Sequence, residues 1–436
     1  VTRIVQLSRV LQKPPRAGLG LPGGQDSHDD PRYIRITDIS EAGLLRDDIF
    51  ASQPRSVVGD AWVHSGDVLV ASVGATVGKS YLHRVDGEFT FAGYLTRIRP
   101  NPDFLNAHYL DYWTKSAHFQ DQVQANLVKS TIENLSAGRI SKFNIPLVEI
   151  SLQRAIADYL DHETAEIDEF IADLESMASL SQERFSVDRN AAVVNGAAAS
   201  GGQRVPETPW LEPLPQTWRY AKLKRLFSIT LGKMLDAKSH DPSAESFPYI
   251  RAANVSARYF EAEALNRMPF TQAEQREYRL LKGDLLVVEG GSIGENFVLP
   301  YDLPGIYLQK TVHRLRSHNP ERALPEYYAA VLDLYREAGG FGVLGNQSTI
   351  AHLTADKLAN LLVPVPPIGA QRASAERISA ALQLLDHELA DITAAIDLAK
   401  ERRAALITAA VTGQIDVTKK NRPAVEQLQD DIEEQK

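Results

Sequence analysis

The sequence predicts an α/β (α+β) architecture written twice: two pseudo-repeated α/β domains, each running into a long helix. Three observations predict it. Paired segments recur in the same order at an offset of 216 to 218 residues: "YIRITDI" at 33 and "YIRAANV" at 249, "GDVLVASVG" at 66 and "GDLLVVEGG" at 283, "STIENL" at 130 and "STIAHL" at 348. "TRIRPNP" from Thr96 returns as "HRLRSHNP" from His313, "IPL" at 145 as "VPV" at 363, and "QRAIA" at 153 as "QRASA" at 371. A fixed period with conserved order marks duplicated structural units. Short apolar runs between Gly-rich turns fill the first part of each copy, and an unbroken helical pattern fills the second.

Taken in order, residues 1–150 form the first domain, with strand-like runs such as Asp67 to Ser72 followed by helical stretches such as "AHYLDYWTKSAHFQ". Residues 151–197 form the first long helix, announced by Pro146, and "NGAAASGGQRVPETP" reads as a linker over 198–210. Residues 211–368 repeat the domain, 369–413 repeat the helix, and 414–436 form a charged tail ending "DDIEEQK". In the second helix Ala375, Ile378, Leu382, Leu385, Leu389, Ile392, Ile396 and Ala399 alternate spacings of three and four, the seam of a coiled coil. Leu160, Ile167, Ile171, Leu174 and Ala178 occupy equivalent places in the first. Either seam alone would suit packing on its own domain; two matching seams favour packing of the helices on each other.

Composition narrows the function. With 436 residues, 44% hydrophobic and 24% charged, the chain has material for large cores. The absence of Cys excludes disulfides and thiolate metal sites and fits a cytoplasmic protein, and no run reaches the length of a membrane span. The net charge of −9 argues against a nucleic-acid partner until it is divided. Residues 1–150 hold 16 basic and 16 acidic residues, and 201–368 hold 19 and 18. Residues 151–200 hold 3 and 10, and 369–436 hold 9 and 12. The acidity therefore belongs to the helical segments and the tail, leaving both domains free to present basic patches.

Motifs that suggest chemistry fail against the repeat. "VGATVGKS" at 73–80 approaches a phosphate-binding loop, but Gly74 and Gly78 are separated by three residues where four are needed, and Glu295 of the paired "GGSIGEN" falls near Lys79. "NPDF" at 101 resembles the signature of adenine amino-methyltransferases, yet its partner is "NPER" at 319, and a turn before a helix explains both. "GLGLPG" at 18 has no following helix, and His162 and His387 lack ligand spacing. The sequence therefore offers no catalytic residue and no metal site.

The order of these motifs, from "LPQTWRYAKL" through "GD(V/L)L", "STI..L", "(I/V)P(L/V)" and "QR" to "KERRAALITAAVTGQIDV", resembles the specificity subunits of type I restriction-modification systems over nearly the whole length. The resemblance implies two target-recognition domains reading a bipartite, asymmetric DNA site, with the helices as an antiparallel coiled-coil spacer. A helix of about 44 residues is ~66 Å long, and two turns of B-DNA span ~68 Å. The resemblance also implies docking of adenine methyltransferase (modification) subunits and a restriction/translocase subunit, which would carry S-adenosylmethionine, ATP and Mg. This chain itself would be non-catalytic and hold no cofactor. Readout would fall to polar and basic residues beside glycines or repeat motifs, since Arg matches guanine and Asn or Gln matches adenine. The candidates are Lys79, Arg84, Asn126 and Lys129 in the first domain, and Lys233, Lys238, Asn296, Lys310, Asn346 and Gln347 in the second. Two other readings remain open at this stage: a coiled-coil adaptor that binds only proteins, and a methyltransferase with its own active site.

Overall fold

The structure is a computed structural model that describes residues 2–23, 25–40, 43–127, 134–194, 218–234, 244–256, 265–343 and 352–417. The chain divides into two compact units, Val1–Ser176 with Ile392–Lys436, and Met177–Asp391. Each unit thus holds one α/β head, the opening of the helix that follows it, and the end of the helix that follows the other head.

In the first head a four-stranded antiparallel sheet has the order Leu11–Ala17, Leu95–Pro100, Val68–Ala71, Ser80–Leu82. Every residue of Val68–Ala71 is buried, because both faces of the sheet are covered and successive side chains alternate between them. Val68 and Val70 meet Tyr109, Leu110, Trp113 and Phe119 from the helices Ala107–Lys115 and Ala117–Leu127. Leu69 and Ala71 meet Ile34, Val63 and Phe91 from a small second sheet. There Arg32–Ile34 runs parallel to Phe89–Phe91, with Trp62–Val63 antiparallel on the far side. Arg3–Gln6 pairs with Asn144–Leu147 and ties the start of the head to its end.

The second head repeats this plan. Its main sheet runs Phe227–Leu231, Val312–Ser317, Leu285–Val288, Asn296–Val298, and Arg219–Lys222 pairs with Leu362–Val365. The small sheet keeps its parallel pair, Glu245–Ile250 with Tyr307–Leu308, but its third strand, Arg267–Phe270, lies beside Glu245–Ile250. In the first head the third strand lies beside the other member of the parallel pair. The strand Arg267–Phe270 therefore has no counterpart in that position in the first head.

The long helices span Ile150–Val194 and Ile368–Thr412, against the expected 151–197 and 369–413. The first remains regular to Val194 although "QERFSVDRNAAVV" departs from its repeat partner. Within each unit the helical segments run antiparallel. Arg403 pairs with Asp168 in the first unit, where Ile407 and Val411 share a core with Ile156 and Leu160. Arg184 pairs with Glu388 in the second, where Ser374 Oγ donates to the Ala192 carbonyl at 2.8 Å. Of the expected seam, Leu160, Ile167, Leu174 and Leu385 are buried, while Ile171, Ile378, Leu382, Leu389, Ile392 and Ile396 are half-buried. Both packing modes operate: Leu160 and Ile378 pack on their own heads, while the ion pairs tie helix to helix. The expected linker 198–210 and the tail beyond residue 417 lie outside the described residues.

Candidate nucleic-acid interface

Each head has two working ends, and the repeat motifs account for both. At the helix end, Gln153 is fully buried; its Nε2 donates to the carbonyls of Phe104 (2.9 Å) and Val148 (2.8 Å), and its Oε1 accepts from Asn106 N (2.9 Å). Gln371 repeats all three bonds with Arg322, Pro366 and Leu324. A tyrosine then holds the other helix: Tyr109 donates to the Val411 carbonyl and Tyr327 to the Val193 carbonyl, each at 3.1 Å. Both carbonyls belong to the last helical turn, where intrahelical donors run out.

The "GD" and "R.R" motifs fix the sheet. Asp67, buried, accepts His64 N (2.8 Å) and a two-pronged bond from Arg99 (2.6 and 2.5 Å); Asp284 accepts Leu281 N (2.7 Å) and Arg316 (2.7 Å twice). Arg97 donates to the carbonyls of Asp60 and Trp62, and Arg314 to those of Glu277 and Arg279. These four arginines serve the fold, because their guanidinium groups are bonded within it, to Asp67, Asp284 and backbone carbonyls.

At the other end of the central strand four segments converge through backbone bonds. In the first head Gly93 N donates to the Leu19 carbonyl, Ser72 N to that of Tyr94 and Leu135 N to that of Ser72. In the second, Lys310 N donates to the Lys233 carbonyl, Glu289 N to that of Thr311 and Leu353 N to that of Glu289. The scaffold is the same, while the exposed side chains on it differ. Tyr94 is 56% exposed in one head and Met234 is 65% exposed in the other. Buried Tyr33 stiffens the first loop by donating to the Leu19 and Leu21 carbonyls.

The glycine loops are part of this end. Gly74, Gly78, Gly291 and Gly294 all have positive φ, which a side chain disfavours. Two of the amides turn inward: Gly78 N donates to the Ala71 carbonyl and Gly294 N to that of Val288. They do not converge on a phosphate. The "NP" segments are turns, since Asp103 N donates to Asn101 Oδ1 and Glu321 N to Asn319 Oδ1.

The structure sorts the sequence candidates. Arg84 is exposed, and Lys310 is half-buried on a turn of the loop end. Lys79 is half-buried, with Nζ donating to the Ile39 carbonyl at 3.2 Å. Asn126 is half-buried on the helix Ala117–Leu127 and spends its amide on the Gln122 carbonyl. Two candidates are corrected. Lys233 has its ammonium on Glu274 (2.7 Å) and the Pro269 carbonyl (2.8 Å), beside the Phe270 ring and 13% exposed. Asn296 is 2% exposed and donates to Asp333 at 3.0 Å. Neither can reach a base edge from there; in the sequence their positions beside glycine are indistinguishable from surface ones. Lys129, Lys238, Asn346 and Gln347 lie outside the described residues. Arg251, which follows "YI" in the second copy, was not among the candidates; it is exposed and pairs with no carboxylate among the described residues. Its repeat counterpart Arg35 is bound to Asp38, so the cue lay in Asp38 being replaced by Asn254.

Among the described residues, no group of His, Asp and Glu is arranged to hold a metal ion, and no helix is long and apolar enough to cross a membrane.

The model of the type I restriction modification DNA specificity domain matches residues 56–174 and again residues 215–396, once per repeat. The chain belongs to that family. Curated relatives of this specificity-domain protein include two bacterial specificity subunits. The EcoKI specificity subunit of Escherichia coli K12 is 24% identical over 289 residues, 63% of this chain and 58% of its own. The StySPI specificity subunit of Salmonella potsdam is 26% identical over 147 residues, 33% and 31% of the two chains. The chain thus spans less than two thirds of the length of either. Among solved structures, a chain from work on complex assembly and conformational transition of the type I R-M system has a TM-score of 0.65 at 15% identity. That alignment covers 95% of this specificity-domain chain and 98% of the other, so the two share a fold.

Proposed function

We propose that this protein is the DNA-reading subunit of a type I restriction-modification complex. The observation that carries the reading is the double family match falling on two heads that share their main sheet and loop-end bonds but differ in their exposed loop tips. One scaffold with two different tip sets suits a site of two unlike blocks, and heads of near-zero net charge suit reading in company with other subunits. The chain supplies specificity and no catalysis. Modification subunits that methylate adenine, and a restriction subunit that translocates, bring S-adenosylmethionine, ATP and Mg. The acidic helical segments repel phosphate and favour protein partners.

Mapping of methylated adenine in the source cells, with and without the gene, tests this. Loss of one motif, two short unlike blocks separated by a fixed gap, is the expected result. Unchanged methylation with the protein expressed and partnered refutes it and leaves a protein-only adaptor. Methylation by the purified chain alone would instead restore the enzyme reading.

A further inference from the structure

The loop end of the first head presents one exposed apolar side chain from each of three of its joined segments: Leu21, Val73 and Tyr94. Scattered exposed apolar residues are ordinary. This group differs because the backbone beneath it is bonded from several directions. The Tyr94 carbonyl accepts both Ser72 N and Ser72 Oγ at 2.8 Å, and Leu95 N donates to the Ala92 carbonyl at 2.9 Å. Gly93 N and the Tyr33 hydroxyl hold the loop of Leu21. The Tyr94 ring makes no ring contact or hydrogen bond among the described residues. A rigid backbone carrying an exposed ring loses little freedom when it binds.

The second head shows what the same position does when it is not presented. The residue equivalent to Tyr94 is Thr311, whose hydroxyl accepts Ala252 N (2.9 Å) and donates to Gln309 Oε1 (2.6 Å). Gly290 stands near the place of Val73. The scaffold is kept while its outward chemistry changes from apolar to internal, as expected of a position that discriminates between blocks of DNA.

Resting on the function proposed above, we propose that Tyr94, supported by Val73 and Leu21, reads a thymine in one block of the site by apolar contact with its 5-methyl group. In the major groove that methyl is the apolar feature separating thymine from the other bases. The contact needs no charged partner, which suits a head whose Arg97 and Arg99 are bonded into the fold.

The test uses the complete complex with its modification subunits and duplexes of the mapped site in which each thymine is replaced in turn by uracil. For the wild-type complex, one thymine-to-uracil change in one block should weaken binding about fourfold, the effect of one buried methyl. Tyr94→Ala should bind the thymine duplex about as weakly as wild type binds the uracil one and should no longer distinguish them, with the other block read normally. Tyr94→Phe should keep the discrimination, and Val73→Ser should reduce it. An unchanged thymine preference in Tyr94→Ala, or no uracil-sensitive thymine in either block, overturns the inference. A wild-type complex that binds no preferred sequence overturns the proposed function instead.

Discussion

At the residue scale, the repeated motifs are mostly instructions for folding. Asp67 and Asp284 sit in "GD" steps that resemble parts of a ligand loop, yet each is a buried carboxylate satisfied by an arginine and a backbone amide. Removing one partner of a buried pair strands the other, at about 3–5 kcal/mol. Asp67→Ala should therefore lower the stability of the first head by that order in denaturant unfolding, and Asp284→Ala, whose arginine is more exposed, by less. His83 and His313 are fully buried, and burial pushes both below the ordinary histidine value. The unfolded chain takes up these protons as pH falls through about 6.5 while the folded chain resists. Their contribution to stability is thus complete above that pH and is lost below it, towards the depressed folded values. Thermal unfolding should show a lower Tm at pH 5.5 than at pH 7.5, and the double variant His83→Asn with His313→Asn should show a smaller drop.

At the element scale, what was legible in the sequence was whatever obeys a period. The buried strand Val68–Ala71 follows from a continuous apolar run between glycine turns, and both long helices and the seam residues Leu160, Ile167, Leu174 and Leu385 follow from heptads. The third strand of the second head, Arg267–Phe270, carried no such signal, because "RMPF" is short, contains Pro and has no partner in the first copy. The exposure of the candidate reading residues was the least legible. Exposure depends on which way a loop turns, so Asn296 and Lys233 resembled surface groups while Arg251 went unnoticed. The joints between head and helix were visible as "QR" without their meaning. Gln153→Ala removes three bonds to partly buried backbone groups, each costing up to about 1–3 kcal/mol if left unmet, so hydrogen exchange should accelerate in the first turns of Ile150–Val194. Gln371→Ala should do the same for Ile368–Thr412.

At the scale of the whole molecule, chain order and compact units disagree. The second unit, Met177–Asp391, is one continuous stretch, whereas the first needs residues from both ends of the chain. A fragment of residues 177–391 should unfold cooperatively alone. Residues 1–176 alone should expose the core that Ile407, Ala410 and Val411 otherwise fill, and should bind a dye for apolar surface until a peptide of 392–417 is added. The joint itself has a consequence for the history of such proteins. Gln153, Gln371, Tyr109 and Tyr327 all bond to main-chain atoms, so the fastening asks nothing of the side chains that a head displays. Heads cut and spliced at the glutamine should seat like bits in a common chuck, whatever their loop tips carry.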